Sequence, residues 1–270
     1  MRTSVLFVAL NVTAMSWAQT VEPLAGTAPL TWEDPLDLRL MDGAHRFVER
    51  KIREARESRA RWWKRDWSSR QAYEASVQPN REWLARILGV VDERLQPRME
   101  RYGDDDRPAL IGETSSCRVW QVRWPVLEGV HGEGLLVEPV GEVRASIVLI
   151  PDADQLPEQL LGLAVRLAAA GARVVLPLLI DRQSRWAGNP AIRMTDQTHR
   201  EWIYRQAFHL GRHVIGYELQ KVLQVIDWFQ GRRRAGRIGV AGWGEGGLLA
   251  FYAAALDQRI DVALVSGYFG

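Results

Sequence analysis

The chain has 270 residues and a formal net charge of +2 at pH 7, with 47% hydrophobic and 25% charged residues. That composition suits a soluble protein large enough to bury a core. The small charge gives no reason to expect nucleic acid or an anionic surface as partner, and a single cysteine, Cys117, excludes an internal disulfide.

The N-terminus predicts an export signal over residues 1–18. Arg2 supplies the positive start, residues 5–14 are mostly apolar, and Ser16-Trp17-Ala18 places small residues where a signal peptidase reads them. The apolar run is shorter than the roughly 20 residues a spanning helix needs. The mature chain is therefore expected to start near Gln19, in the periplasm or outside the cell, without a membrane contact once the signal is cleaved.

Residues 19–110 predict a helical N-terminal region. Leu40, Ala44, Phe47, Val48, Ile52 and Ala55 recur at three- and four-residue steps, the pattern of an amphipathic helix with one buried stripe. Arginines are dense over 46–70, but Glu49 and Glu57 stand four residues before Arg53 and Arg61, as in a solvated face of ion pairs. A second helix is expected from Asn80 as cap to about Gly89.

From Cys117 the period becomes that of strands. Residues 119–126, 131–138 and 145–150 are rich in β-formers, and the third is apolar enough for a strand covered on both faces. A helix over 157–170 and a strand over 172–179 complete a β-α-β unit, which favours a parallel sheet. An irregular stretch follows over 181–197. Ile215, Leu219, Val222, Ile226 and Phe229 mark another helix, and a strand over 237–242, a helix over 245–256 and a strand over 261–268 end the chain.

Residues 237–250 read Arg-Ile-Gly-Val-Ala-Gly-Trp-Gly-Glu-Gly-Gly-Leu-Leu-Ala, with Gly242 and Gly246 flanking Gly244. This is the Gly-x-Ser-x-Gly pattern of a strand turning sharply into a helix, with glycine in place of serine. The backbone N–H of Glu245 would be one oxyanion donor, and the turn Pro151-Asp152-Ala153 would supply another. Asp152, Ala153, Trp243 and Gly246 are accordingly the expected binding residues, and Gly244 and Glu245 hold the catalytic positions.

From about Arg118 onward the chain resembles α/β-hydrolases of the dienelactone hydrolase and acetyl xylan esterase type. The antiparallel start, the β-α-β unit and the elbow come in that fold's order. Gly211-Arg212-His213, Gly216-Tyr217-Glu218 and Asp227-Trp228 are similar to the helix before the elbow in those esterases. The resemblance implies a mostly parallel sheet flanked by helices over 111–270, following the helical extension.

Two departures bear on activity. Gly244 has neither hydroxyl nor thiol and cannot form an acyl-enzyme. In the family the acid and histidine follow the nucleophile, whereas here Asp257 and Asp261 follow Gly244 and no histidine does, so the domain is expected to lack its C-terminal part. Glu245 reads first as an acid at a helix N-terminus, with a carboxylate base acting on water as the alternative. His199, His209 and His213 read as packing or surface residues, with a metal pair at His209 and His213 the remote alternative.

The expected function is an exported esterase-like family member without serine-hydrolase activity in this form, whether a pseudoenzyme, a binding protein or a truncated chain. One alternative is an active carboxylic-ester hydrolase completed by a longer native chain or by an unusual carboxylate mechanism. Another is a dinucleotide-binding oxidoreductase, because Gly242, Gly244 and Gly247 also satisfy Gly-x-Gly-x-x-Gly. No cofactor, metal or nucleic acid is expected. The expected partners are a small ester or carbohydrate-derived ligand and a second copy pairing through an exposed sheet edge.

Overall fold

The computed structural model describes residues 24–184, 197–232 and 236–268. The expected export signal and residues 185–196 of the irregular stretch lie outside the described residues. The chain divides into two compact units, Met1–Arg61 and Trp62–Gly270. The elements of the expected 19–110 helical region are thus shared between them.

In the first unit, helix α1 (Leu36–Ser58) takes the amphipathic spacing but buries none of its residues. Leu40, Phe47 and Ile52 are 72%, 50% and 65% exposed, which corrects the expectation of a buried stripe. Periodicity prepares a face for packing but does not supply the partner, and the described part of this unit adds only the start of a 3-10 turn at Arg59–Trp62. The Glu49 and Arg53 side chains stand 3.9 Å apart, both exposed.

The second unit opens with α2 (Arg70–Ile87), which begins ten residues earlier than the spacing suggests. Ser69 is its cap, its side chain accepting from Ala72 N at 3.0 Å. Asn80 is not a cap but sits inside the helix after Pro79, donating to the Trp62 carbonyl at 3.1 Å. A proline in a helix interior usually marks a break, yet here the capped first turns carry the helix through it.

Two short strands precede the expected sheet, β1 (Glu100–Arg101) and β2 (Leu110–Glu113), both too short to show a period. Then come β3 (Cys117–Leu127), β4 (Val130–Pro139) and β5 (Ala145–Ile150). A 3-10 turn at Pro157–Leu160 leads into α3 (Leu161–Ala169), and Gly171, with φ of 92°, turns the chain into β6 (Ala172–Pro177). Next are α4 (His199–His209), α5 (Val214–Gln230), β7 (Arg237–Trp243), α6 (Glu245–Leu256) and β8 (Val262–Ser266).

The sheet order is β1-β3-β4-β6-β5-β7-β8, with β2 also pairing β3. Pairs up to β4–β6 are antiparallel, while β6–β5, β5–β7 and β7–β8 are parallel. One face packs Val148, Ile150, Val175 and Val240 against Leu219, Val222 and Ile226 of α5 and Leu249 of α6. The other packs Leu149, Val174 and Leu176 against Ala164 and Ala168 of α3. Such alternation along doubly covered strands explains their nearly continuous apolar sequence. From β5 the chain passes to β6 on one side, and β7 returns on the other. A crevice at the carboxyl ends of strands where the winding reverses is where open α/β sheets place ligands.

Candidate functional site at the elbow

β7 ends at Trp243, Gly244 turns the chain, and α6 begins at Glu245. Gly244 has φ of 52° and ψ of −120°, a backbone state that L side chains rarely adopt. The flanking glycines are there because strand and helix nearly touch: a Cβ on Gly242 would meet the Gly246 carbonyl at 2.1 Å. A Cβ on Gly246 would meet the Pro151 and Ile150 carbonyls at 2.3 and 2.4 Å.

Above the turn lies the Asp152 carboxylate. Its Oδ1 accepts from Glu245 N at 2.9 Å and from Ala153 N at 2.8 Å. A Cβ on Gly244 would stand 2.7 Å from Asp152 Cγ and Oδ2. The carboxylate therefore covers the direction in which a side chain would leave the elbow, and one of its oxygens takes both N–H groups. Of the expected residues, Gly244, Glu245, Asp152, Ala153 and Gly246 come together here. Trp243 points elsewhere, onto the α3 face of the sheet, beside Ala241 and Ile147.

Around this centre stand charged groups that sequence spacing did not single out. Arg182, after β6, donates to Glu245 Oε2 and Asp154 Oδ2 at 2.7 Å each, and its Nη2 is 3.9 Å from Asp152 Oδ1. Arg200, buried on α4, donates Nη1 to the Ile180 carbonyl at 2.9 Å and pairs through Nη2 with Glu245 Oε1. Burial opposes its charge and the Glu218 carboxylate supports it, with a net fall of its pKa below the ordinary arginine value. Glu218 of α5, fully buried, accepts from Ile180 N at 2.6 Å and has Lys221 Nζ 3.0 Å away. Glu245, clamped by two arginines, is an ion-pair partner in this arrangement rather than a group poised over water.

A cavity of about 740 Å³ adjoins the site at the carboxyl end of β6, between β4, α4 and α5. Leu156, Leu178, Trp202 and Ile203 form apolar walls, and His131, Glu133, Asp181, His199 and Lys221 are its polar groups. His199 Nδ1 is 2.8 Å from Asp181 Oδ1. No sequence signal joins these two, since eighteen residues separate them and only the return of α4 over the β6 loop makes the contact. His209 and His213 do not share a helix. His209 ends α4, while His213 caps α5, its Nδ1 accepting from Ile215 N at 3.0 Å. Their separation onto two elements speaks against the metal-pair alternative, and among the described residues no cluster of potential metal ligands occurs.

No protein-family model matches the sequence, and no curated protein matches it either. Solved structures do. A protein assigned as an acetyl xylan esterase from Bacteroides fragilis is 16% identical over 70% of this chain and 52% of its own, with a TM-score of 0.53. Acetyl xylan esterase 1 from Thermoanaerobacterium is 16% identical over 68% of this chain and 57% of its own, at 0.45. A protein assigned as a dienelactone hydrolase from Klebsiella pneumoniae is 18% identical over 52% of this chain and 57% of its own, at 0.36. The chain spans about half the length of these structures. With its antiparallel start, parallel centre and strand-turn-helix elbow, this protein has an α/β-hydrolase-like fold.

Proposed function

We propose that this chain is an exported esterase-fold protein that binds a small ester or carbohydrate-derived ligand without serine-hydrolase chemistry. The observation that carries this reading is the Asp152 carboxylate over Gly244, which holds both N–H donors that would otherwise stabilise a substrate oxyanion. Catalysis by an oxyanion hole needs those donors free to meet charge developing on the substrate. Here they already meet a charge of the protein's own. Gly244 adds the lack of any nucleophilic atom. The adjoining cavity, with apolar walls and a few convergent polar groups, has the character of a small-molecule site. Support for export is the pattern of residues 1–18. Among the described residues no helix is long and apolar enough to cross a membrane.

The test is incubation of the purified protein with aryl acetates and a fluorophosphonate probe. Neither labelling nor turnover above a boiled control is expected. Clear labelling would overturn the reading.

One observation favours a second reading, an active carboxylic-ester hydrolase with another base. The His199–Asp181 pair lines the cavity, and a carboxylate on Nδ1 favours the tautomer in which Nε2 is the basic nitrogen. In that case aryl ester turnover would be present and would fall in a His199→Ala variant. The dinucleotide reading gains no such support. A pyrophosphate approaching Gly244 would meet the Asp152 carboxylate, a like charge, at closest range.

A further inference from the structure

At its amino end the sheet face that packs on α5 is not apolar. Ser146 and Arg173 stand in register across β5 and β6, and Ile238 pairs with Ser146 on the other side. Further along the same face the side chains are Val148, Ile150, Val175 and Val240. A polar pair on a core face is costly unless something answers it. Part of the answer is Trp228 near the end of α5, with the Arg173 guanidinium 5.3 Å and that of Arg232 5.0 Å from its ring.

The charges are incompletely matched. Arg173 Nε is buried and lies 3.4 Å from Glu138 Oε1, outside hydrogen-bonding geometry, and Glu138 is shared with Arg101. Arg232 has cation–π contact with Trp228 but no ion-pair partner among the described residues. Burial lowers the pKa of Arg173, Glu138 opposes that fall, and Arg232 and Arg101 add to it, so like charges crowd together. The groups surround a cavity of about 610 Å³, lined also by Val143, Phe229 and Ile238, with Glu142 at its edge.

We propose that this cavity binds a phosphate monoester with a small apolar body. The guanidinium groups of Arg173 and Arg232 take the phosphoryl oxygens, the Ser146 hydroxyl donates a third hydrogen bond, and Val143, Phe229 and Ile238 cover the organic part. A dianion with three terminal oxygens suits two guanidinium groups and a hydroxyl better than a carboxylate does. The volume exceeds what inorganic phosphate alone would fill, and Glu142 disfavours a second anionic group on the ligand. The site lies at the amino ends of the strands, so it is independent of the reading given for the elbow.

The test is calorimetric titration of the full chain with phenyl phosphate, inorganic phosphate and benzoate. Phenyl phosphate should bind more tightly than either of the others. Arg232→Gln, at an exposed position, should weaken binding about tenfold or more, and Ser146→Ala by less, both with unchanged melting of the free protein. Asp152→Ala should bind phenyl phosphate as the parent does. No binding of phenyl phosphate at millimolar concentration, or equal binding by a folded Arg232→Gln protein, would overturn the proposal.

Discussion

Asp152 lies across Gly244, its Oδ1 accepting from the N–H of Glu245 while its carboxyl carbon stands 2.7 Å from where a Gly244 Cβ would be. Substitution of either residue should therefore be felt at the other. Gly244→Ser places a side chain in a backbone state that favours glycine and against the carboxylate, and about 1–3 kcal/mol of destabilisation is expected. Adding Asp152→Gly should recover part of the loss by removing the clash. Urea unfolding of the two single variants and the double variant measures this coupling, and strictly additive losses would contradict it.

Asp152→Ala leaves the N–H of Glu245, at the start of α6, and that of Ala153, in the turn after β5, without their acceptor. The expected cost is about 1–3 kcal/mol, at the low end where water reaches the site, and it should appear as a lowered midpoint in the same unfolding experiment. Asp152→Asn keeps an acceptor oxygen and should lose less. Equal losses would mean that the N–H groups are satisfied some other way.

Glu218 is the buried hub between Arg200 and Lys221. Glu218→Leu would take the carboxylate from buried Lys221 and leave Arg200 with Glu245 alone, and a loss of about 3–5 kcal/mol is expected for breaking a buried pair from one side. Glu218→Gln retains acceptance from Ile180 N and should be milder. A leucine variant as stable as the parent would refute this account of the network.

His213 caps α5 through an unprotonated Nδ1, and burial first, then Arg200, hold its pKa below the ordinary histidine value. The unfolded chain therefore takes up the proton more readily than the folded one. The contribution is fully present above the unfolded value of about 6.5 and is lost as pH falls through the folded value. Melting temperature should drop on acidification in this window, and less so in His213→Asn, which keeps a capping acceptor without titrating. The same pH dependence in both proteins would assign it elsewhere.

β8 is an edge strand, with Val262 and Leu264 53% and 52% exposed beside an apolar groove that includes Ile147, Ala241 and Trp243. Unpaired edges with apolar flanks invite pairing with a second chain. Light scattering after size exclusion should show self-association, and Val262→Lys should reduce it. A monodisperse parent protein would count against the prediction.

Much of the fold was legible in the sequence because its elements carry local signals. The strand runs before β5, the helix ending at Gly171 and the elbow glycines each state their own geometry through period or punctuation. Errors fell where a local signal was ambiguous or a partner was needed. Pro79 hid the first half of α2, the strands at 100–101 and 110–113 were too short to show a period, and the stripe of α1 promised burial that the described part of its unit does not provide. At the site, Gly244, Glu245, Asp152 and Ala153 were legible because motif and strand order name them. Arg182, Arg200, Glu218 and the His199–Asp181 pair were not, since their partners lie on other elements.

By itself the sequence determined that a strand must turn tightly into a helix at Gly242 to Gly246, because only glycine permits that approach of backbone to backbone. It also determined that Gly244 brings no nucleophile. What occupies the space above the elbow was decided only by tertiary structure. Asp152 reaches Gly244 because β5 and β7 are neighbours in the sheet although nearly a hundred residues apart, and hydrogen bonding acts over ångströms of space, whatever the distance along the chain.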